Sequence, residues 1–186
     1  MQDEINNCLN VLKKGGIILY PTDTIWGIGC DATNPGAVDK IYALKKRVES
    51  KSMICLMTDF KMLNQYIEEV PEVTYDILKY ATEPTTIIYD RPLHVAENII
   101  AEDNTLAVRV VKEPFCSSLM RKLKRPIVST SANLSDKPTP NNFEEISKEI
   151  MEGVDYVVNL GRKNKSGKPS AIIQIKTDGM VKIIRK

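Results

Sequence analysis

The chain is poor in the residues that most often announce a chemistry. It has one histidine, one tryptophan and four cysteines in 186 residues. His94 stands alone with no companion for a catalytic triad, which disfavours a histidine-based hydrolase. Cys8, Cys30, Cys55 and Cys116 are far apart and form no CxxC pair. That spacing argues against a zinc site or a disulfide framework and predicts reduced thiols. No apolar run approaches the roughly 20 residues needed to cross a bilayer, and Met1-Gln2-Asp3-Glu4 is acidic rather than signal-like. A cytoplasmic protein without a membrane partner is the expectation. Charge of one sign is missing too: the net charge is +2, so any site for a polyanion has to be local. No Walker loop is present, because Gly161 and Gly167 have the wrong spacing and Pro169 follows Lys168.

What is present suits a single domain, residues 1–186, burying roughly 70% of its unfolded surface. Hydrophobic content is 42% and charged content 27%, both ordinary. Ile5, Cys8, Leu9 and Leu12 recur at helical spacing before Gly15-Gly16. Ile17–Tyr20 reads as a strand stopped by Pro21, with a loop over Thr22–Gly29. Asn34-Pro35 opens a helix carrying Val38, Ile41, Tyr42 and Lys45. Further strands are expected at Met53–Met57, Thr85–Tyr89, Leu106–Val111, from Ile127, and at Tyr156–Leu160, Ala171–Ile175 and Val181–Ile184. Further helices are expected at Asp59–Ile67, Glu72–Ala81, Pro114–Leu123 and Phe143–Met151. This intermixing predicts an α/β protein with a mixed sheet. Arg162–Lys168 reads as a basic loop, more a solvated surface than a site.

The most informative stretch is Ser129-Thr130-Ser131-Ala132-Asn133, after the apolar start of a strand. Ligands of open α/β sheets bind beyond carboxyl ends of strands, and small hydroxyls and an amide line such a place without filling it. Turn hydrogen bonding before Leu134 explains the same residues more blandly. If the strand stays extended, Ser129, Ser131 and Asn133 share one face. Arg109 is the one charge in Leu106–Val111, on the face of Ala107 and Val111. An unpaired buried charge is costly, so Arg109 needs a partner. A core carboxylate and a ligand carboxylate fit equally, since arginine grips carboxylates with two N–H groups. Lys45, Arg47 and Lys51 are the densest early cations. At a helix end they offset the dipole while solvated; alternatively Arg47 forks onto phosphate oxygens. Lys46 should face away from Lys45. Thr22-Asp23-Thr24 fits turn chemistry after a proline, and Trp26 is core packing or a wall for a flat or small apolar ligand group.

In order, these segments resemble the YrdC/Sua5 family of threonylcarbamoyl-AMP synthases. Tyr20–Gly29 is similar to the family's P-T-[DE]-T-x-[YW]-G-[LI]-G segment, and Lys45-Lys46-Arg47 to its K-x-R element, with Lys51 as the later lysine. Ala107–Val110 resembles its A-V-R-V strand, Ser131-Ala132-Asn133 its S-x-N element, Pro169–Ile173 its late P-S-T strand, and Ile184-Arg185 its closing strand. Three positions depart from the pattern: Glu83-Pro84-Thr85-Thr86 lacks the usual glycine, Ala171 replaces a threonine, and Ser52 a frequent proline. The resemblance implies a short YrdC-type domain, with a twisted mixed sheet and flanking helices around a positive cavity.

It also implies a nucleotidyltransferase. L-threonine, bicarbonate and ATP would give threonylcarbamoyl-AMP and pyrophosphate, for t6A modification of tRNAs reading ANN codons. By resemblance Lys45, Arg47, Ser131 and Asn133 are catalytic. Arg47, Lys51, Thr105, Ser129, Thr139 and Arg185 hold ATP; Thr24, Arg109, Ser131 and Ser170 hold threonine. Mg²⁺ accompanies ATP, with no protein ligand that can be named. Threonylcarbamoyl-transferase proteins of the t6A pathway and tRNA are the implied partners. An RNA-binding module of the same family, binding double-stranded RNA or tRNA without synthesis, is the alternative.

Overall fold

A computed structural model describes residues 1–46, 53–164 and 167–186. Arg47, Lys51 and Ser52 therefore lie outside the described residues. The chain opens with α1 (Gln2–Lys13), a short β1 (Ile18–Tyr20) and β2 (Gly27–Gly29). Then come α2 (Pro35–Lys45), β3 (Ile54–Met57), α3 (Phe60–Tyr66), α4 (Val73–Tyr80) and β4 (Thr85–Asp90). They are followed by β5 (Thr105–Val110), α5 (Pro114–Leu123), β6 (Ile127–Ser131) and α6 (Lys148–Gly153). The chain closes with β7 (Tyr156–Val157), β8 (Ala171–Ile175) and β9 (Val181–Arg185).

The local chemistry sets these boundaries. Asn34 caps α2 by accepting from Ala37 N, with Pro35 at the first helical position, where its missing N–H costs nothing. Glu113 caps α5 by accepting from Phe115 N and Cys116 N, and Lys124 ends it in the left-handed region. Two expectations need correction. The loop after Pro21 is shorter than expected, because Gly27–Gly29 pairs as β2 between β1 and β6. Phe143–Met151 is not one helix. A 3-10 turn at Phe143–Glu145 precedes α6, and the Ser147 side chain caps α6 by accepting from Ile150 N. That local hydroxyl bond restarts the helix three residues on.

Among the described residues, nine strands form one mixed sheet in the order β7-β1-β2-β6-β3-β5-β4-β8-β9. β3 and β5 run parallel, and β6 lies antiparallel to both β2 and β3. Strand alternation divides the core in two. Leu19, Ile28, Cys55, Val108, Ile87 and Val128 face the side of α2, α3 and α4. Ile18, Tyr20, Leu56 and Ile127 face the other side, against Ile5, Cys8 and Leu12 of α1 and Phe115, Leu119 and Leu123 of α5. All four cysteines are buried and free; burial pushes the Cys8 and Cys55 thiols up to about 12.

β2 is pressed tightly between its neighbours. A Cβ on Gly29 would lie 2.4 Å from the Val128 carbonyl oxygen and 2.7 Å from the Tyr20 ring. A backbone carbonyl inside a sheet cannot step aside. Gly29→Ala is therefore expected to destabilise the protein by about 3 kcal/mol, the upper part of the overpacking range. Urea unfolding measures this, and an unchanged midpoint would contradict it.

Candidate functional site

The sheet face that carries α1 and α5 also carries the polar residues singled out in the sequence. The register sets Ser129, Ile54 and Ala107 in one row and Ile127, Leu56 and Arg109 in the next. Ser131 pairs with Gly27, which pairs with Tyr20. Ser129 and Ser131 thus lie on Arg109's side of the sheet. A Cβ on Gly27 would reach 3.0 Å from Ser129 Oγ, so glycine leaves that hydroxyl its space.

Arg109 is 4% exposed. Its Nη2 forms an ion pair with Asp23 Oδ1 at 2.9 Å and its Nη1 donates to Thr24 Oγ1 at 3.2 Å. Its Nε is buried without an acceptor among the described residues. Asp23 and Thr24 reach it from the loop between β1 and β2. Thr22 shapes that loop: its hydroxyl donates to the Ile25 carbonyl at 2.7 Å and accepts from Thr24 N at 3.1 Å. The core-carboxylate alternative is thus present as a pair, but its carboxylate belongs to a loop and remains 26% exposed. Burial and the neighbouring Cys116 push the Tyr20 hydroxyl well above its ordinary value, so it stays neutral beside the guanidinium.

Extending the β4–β5 register by one residue places Thr86 opposite Arg109. Thr86 is buried, and its hydroxyl shares a 2.7 Å hydrogen bond with Ser170 Oγ. The Ser170 carbonyl in turn accepts from Arg185 Nε and Nη2 at 3.1 and 2.7 Å. Arg109, Thr24 and Ser170 therefore converge through β4. The sequence offered a signal for Thr86: alternation through Ile87 and Tyr89 sets it on the face opposite theirs.

Lys45 differs from a solvated helix-end cation. It is 1% exposed, and its Nζ donates to the carbonyls of Ser131 and Asn133, each at 2.5 Å. Its own carbonyl accepts from Ser135 N. The ammonium therefore fastens the turn that leaves β6. Lys46 points outward, as expected, to Glu149 at 2.8 Å. Strand pairing stops at Ser131, and Asn133 N donates back to the Ser131 carbonyl at 2.9 Å. Asn133 thus leaves the strand alternation. Its Nδ2 donates to Leu134 O and Lys137 O, while its Oδ1 is buried with no donor among the described residues.

Asn133 and Thr139 line the same cavity of about 400 Å³. Thr105 is four residues before Arg109 on the same strand face, roughly 13 Å away at the strand rise, and its hydroxyl donates to Asp103 Oδ1. Ala107 and Ser129 share a row, so two residues on Thr105 falls in the row of Ser131, at the end of the sheet where β6 turns to Asn133. Trp26 is a core residue, 3% exposed, with its ring 4.8 Å from that of Phe143. Arg162 lies 4.7 Å over the other partner of that stack, Phe143, so part of the late basic loop is packed. A second cavity of about 640 Å³ opens beyond the carboxyl ends of β3 and β5, and Asp23, Thr58 and Lys112 line part of it.

Arg109, Thr24, Ser170, Ser129 and Ser131 are thus brought to one face, and Lys45 holds the turn containing Ser131 and Asn133. Such a site can grip a carboxylate and present hydroxyls to a polar ligand. Among the described residues, no group of three His, Cys, Asp or Glu side chains surrounds a common metal position. No helix is long and apolar enough to cross a membrane, again among the described residues.

Known proteins share this fold. E. coli YciO superposes with a TM-score of 0.85 at 26% identity, over 100% of this chain and 90% of that one. P. abyssi Sua5, solved with L-threonine, shares the fold with a TM-score of 0.80 at 23% identity, over 92% of this chain and 50% of that longer one. The threonylcarbamoyl-AMP synthase of Vibrio parahaemolyticus is 32% identical over 97% of this chain and 98% of its own length. A Methanocaldococcus jannaschii protein provisionally given the same name is 34% identical over 98% of this chain and 87% of its own. A family model described as "Telomere recombination" matches residues 10–186, and with these likenesses it establishes that the chain belongs to the Sua5/YciO/YrdC family.

Proposed function

We propose that this chain is a threonylcarbamoyl-AMP synthase, a nucleotidyltransferase acting as one domain over residues 1–186. L-threonine and bicarbonate give N-carboxy-threonine. Its new carboxylate attacks the α-phosphorus of ATP and displaces pyrophosphate, with one water lost overall. The observation that carries this reading is the buried Arg109, which is bonded to Thr24 and lies on the same sheet face as Ser129 and Ser131. A fixed guanidinium is matched to the carboxylate of an amino acid. Thr24 and Ser170 hold the polar groups of threonine, and Ser131 lies beside it. Ser129, the orphan Asn133 Oδ1, Thr139 and Arg185 serve the nucleotide, with Thr105 in the row of Ser131.

Attack at phosphorus requires alignment and charge stabilisation rather than a covalent enzyme intermediate. Lys45 contributes by fixing the Ser131–Asn133 turn, while Arg47 and Lys51 are the cations assigned to the phosphates. Mg²⁺ arriving with ATP would supply charge neutralisation at the phosphates, which Arg47 and Lys51 would help to hold. The product would pass to threonylcarbamoyl-transferase proteins and tRNA in the cytoplasm. The test is pyrophosphate release with ATP, Mg²⁺, L-threonine and bicarbonate. Release should require both threonine and bicarbonate. No such release, together with RNA binding that weakens as salt rises, would favour the RNA-binding alternative.

A further inference from the structure

We infer that Asp23 reads the α-ammonium of the incoming amino acid and thereby hands Arg109 over to its carboxylate. This rests on the threonine reading above and adds a residue to it. Asp23 is the exposed half of its pair with Arg109, at 26% against 5% for the side chains. It lines the 640 Å³ cavity, so a ligand arriving there meets Asp23 before the guanidinium. Only Oδ1 is engaged; Oδ2 accepts no hydrogen bond from the described residues. Beneath it the Arg109 Nε is a buried donor without an acceptor.

The charge around the cavity suits an ammonium. Asp23, Asp59, Asp76 and Glu83 line it against Lys79 and Lys112. Four carboxylates and two ammoniums repel a bare anion and attract a cationic group. A free carboxylate ligand would meet repulsion from Asp23 on its way to Arg109. A zwitterion does not. Its ammonium takes over the Asp23 carboxylate, which weakens the Asp23 hold on Nη2. The freed Nη2 and the orphan Nε then present two parallel N–H groups to the ligand carboxylate. One internal ion pair is exchanged for two, with no net change in charge.

Calorimetry with two ligands tests the exchange: L-threonine, and 3-hydroxybutyrate, which keeps the carboxylate and hydroxyl but has no amino group. Wild-type protein should prefer threonine by about tenfold or more, the scale of one charge-assisted hydrogen bond. Asp23→Asn keeps the shape and an acceptor for Arg109. It should lose about tenfold in threonine affinity while binding 3-hydroxybutyrate as well as or better than wild type. Asp23→Glu should retain the preference. Unchanged threonine affinity in Asp23→Asn, or equal losses for both ligands, would overturn the inference and leave Asp23 as a mere support for Arg109. Wild-type protein that binds no threonine would overturn the threonine reading itself, and the inference with it.

Discussion

Arg109→Ala should lower kcat/KM for L-threonine by about a hundredfold or more while leaving the Kd for ATP within about twofold. Arg109 offers the only buried guanidinium on the site face among the described residues, and a charge-assisted fork onto a carboxylate is among the stronger hydrogen-bonding arrangements. Removing it also strands Asp23. Breaking a fully buried pair costs roughly 3–5 kcal/mol. Asp23 is partly exposed and can rehydrate, so the loss of stability should fall below that range. Arg109→Lys keeps the charge but loses the planar fork, and should recover only part of the threonine affinity. Arg47→Ala should show the opposite pattern, weakening ATP use first. Equal effects of the two variants on both substrates would contradict the division of the site.

Lys45→Met should be the most damaging substitution for the nucleotide side. Methionine fills most of the space but supplies no donor. The carbonyls of Ser131 and Asn133 then lose the ammonium that holds them. Ser131 O keeps its bond from Asn133 N, so the Asn133 carbonyl is the acceptor left unsatisfied, at a cost on the order of 2 kcal/mol. For a chain of this size that is a fall in Tm of roughly 4–8 °C. Activity should fall further than stability, by about a hundredfold at temperatures where the variant is folded, because Ser131 and the orphan Asn133 Oδ1 are no longer held in place. Calorimetry and pyrophosphate release separate the two effects. An unchanged Tm would show that Lys45 does not clamp the turn.

The contrast between Lys45 and Arg109 shows what was legible beforehand. Arg109 announced itself: one charge in an apolar strand has few explanations, and alternation gave its face. Lys45 looked like any cation at a helix end. Its burial depends on where the β6 turn passes α2, more than eighty residues later, and no local pattern encodes that approach. Helices with side-chain caps, such as Pro35–Lys45 and Pro114–Leu123, could be placed closely because their signals are local. β2 was missed because three residues, Gly27-Ile28-Gly29, carry no periodicity; they form a strand only because β1 and β6 pair with them on either side. From the sequence Asp23 is only part of a turn after a proline. Its pairing with Arg109 joins positions from the first and middle thirds of the chain, and only the fold could show it.

The most direct measurement of the central claim is mass spectrometry of the product formed from ATP, L-threonine and ¹³C-bicarbonate. The account predicts a threonylcarbamoyl-adenylate carrying one ¹³C in its carbamoyl carbon, formed in step with pyrophosphate and absent when threonine is omitted. An adenylate without the label, or pyrophosphate released at the same rate without threonine, would contradict it.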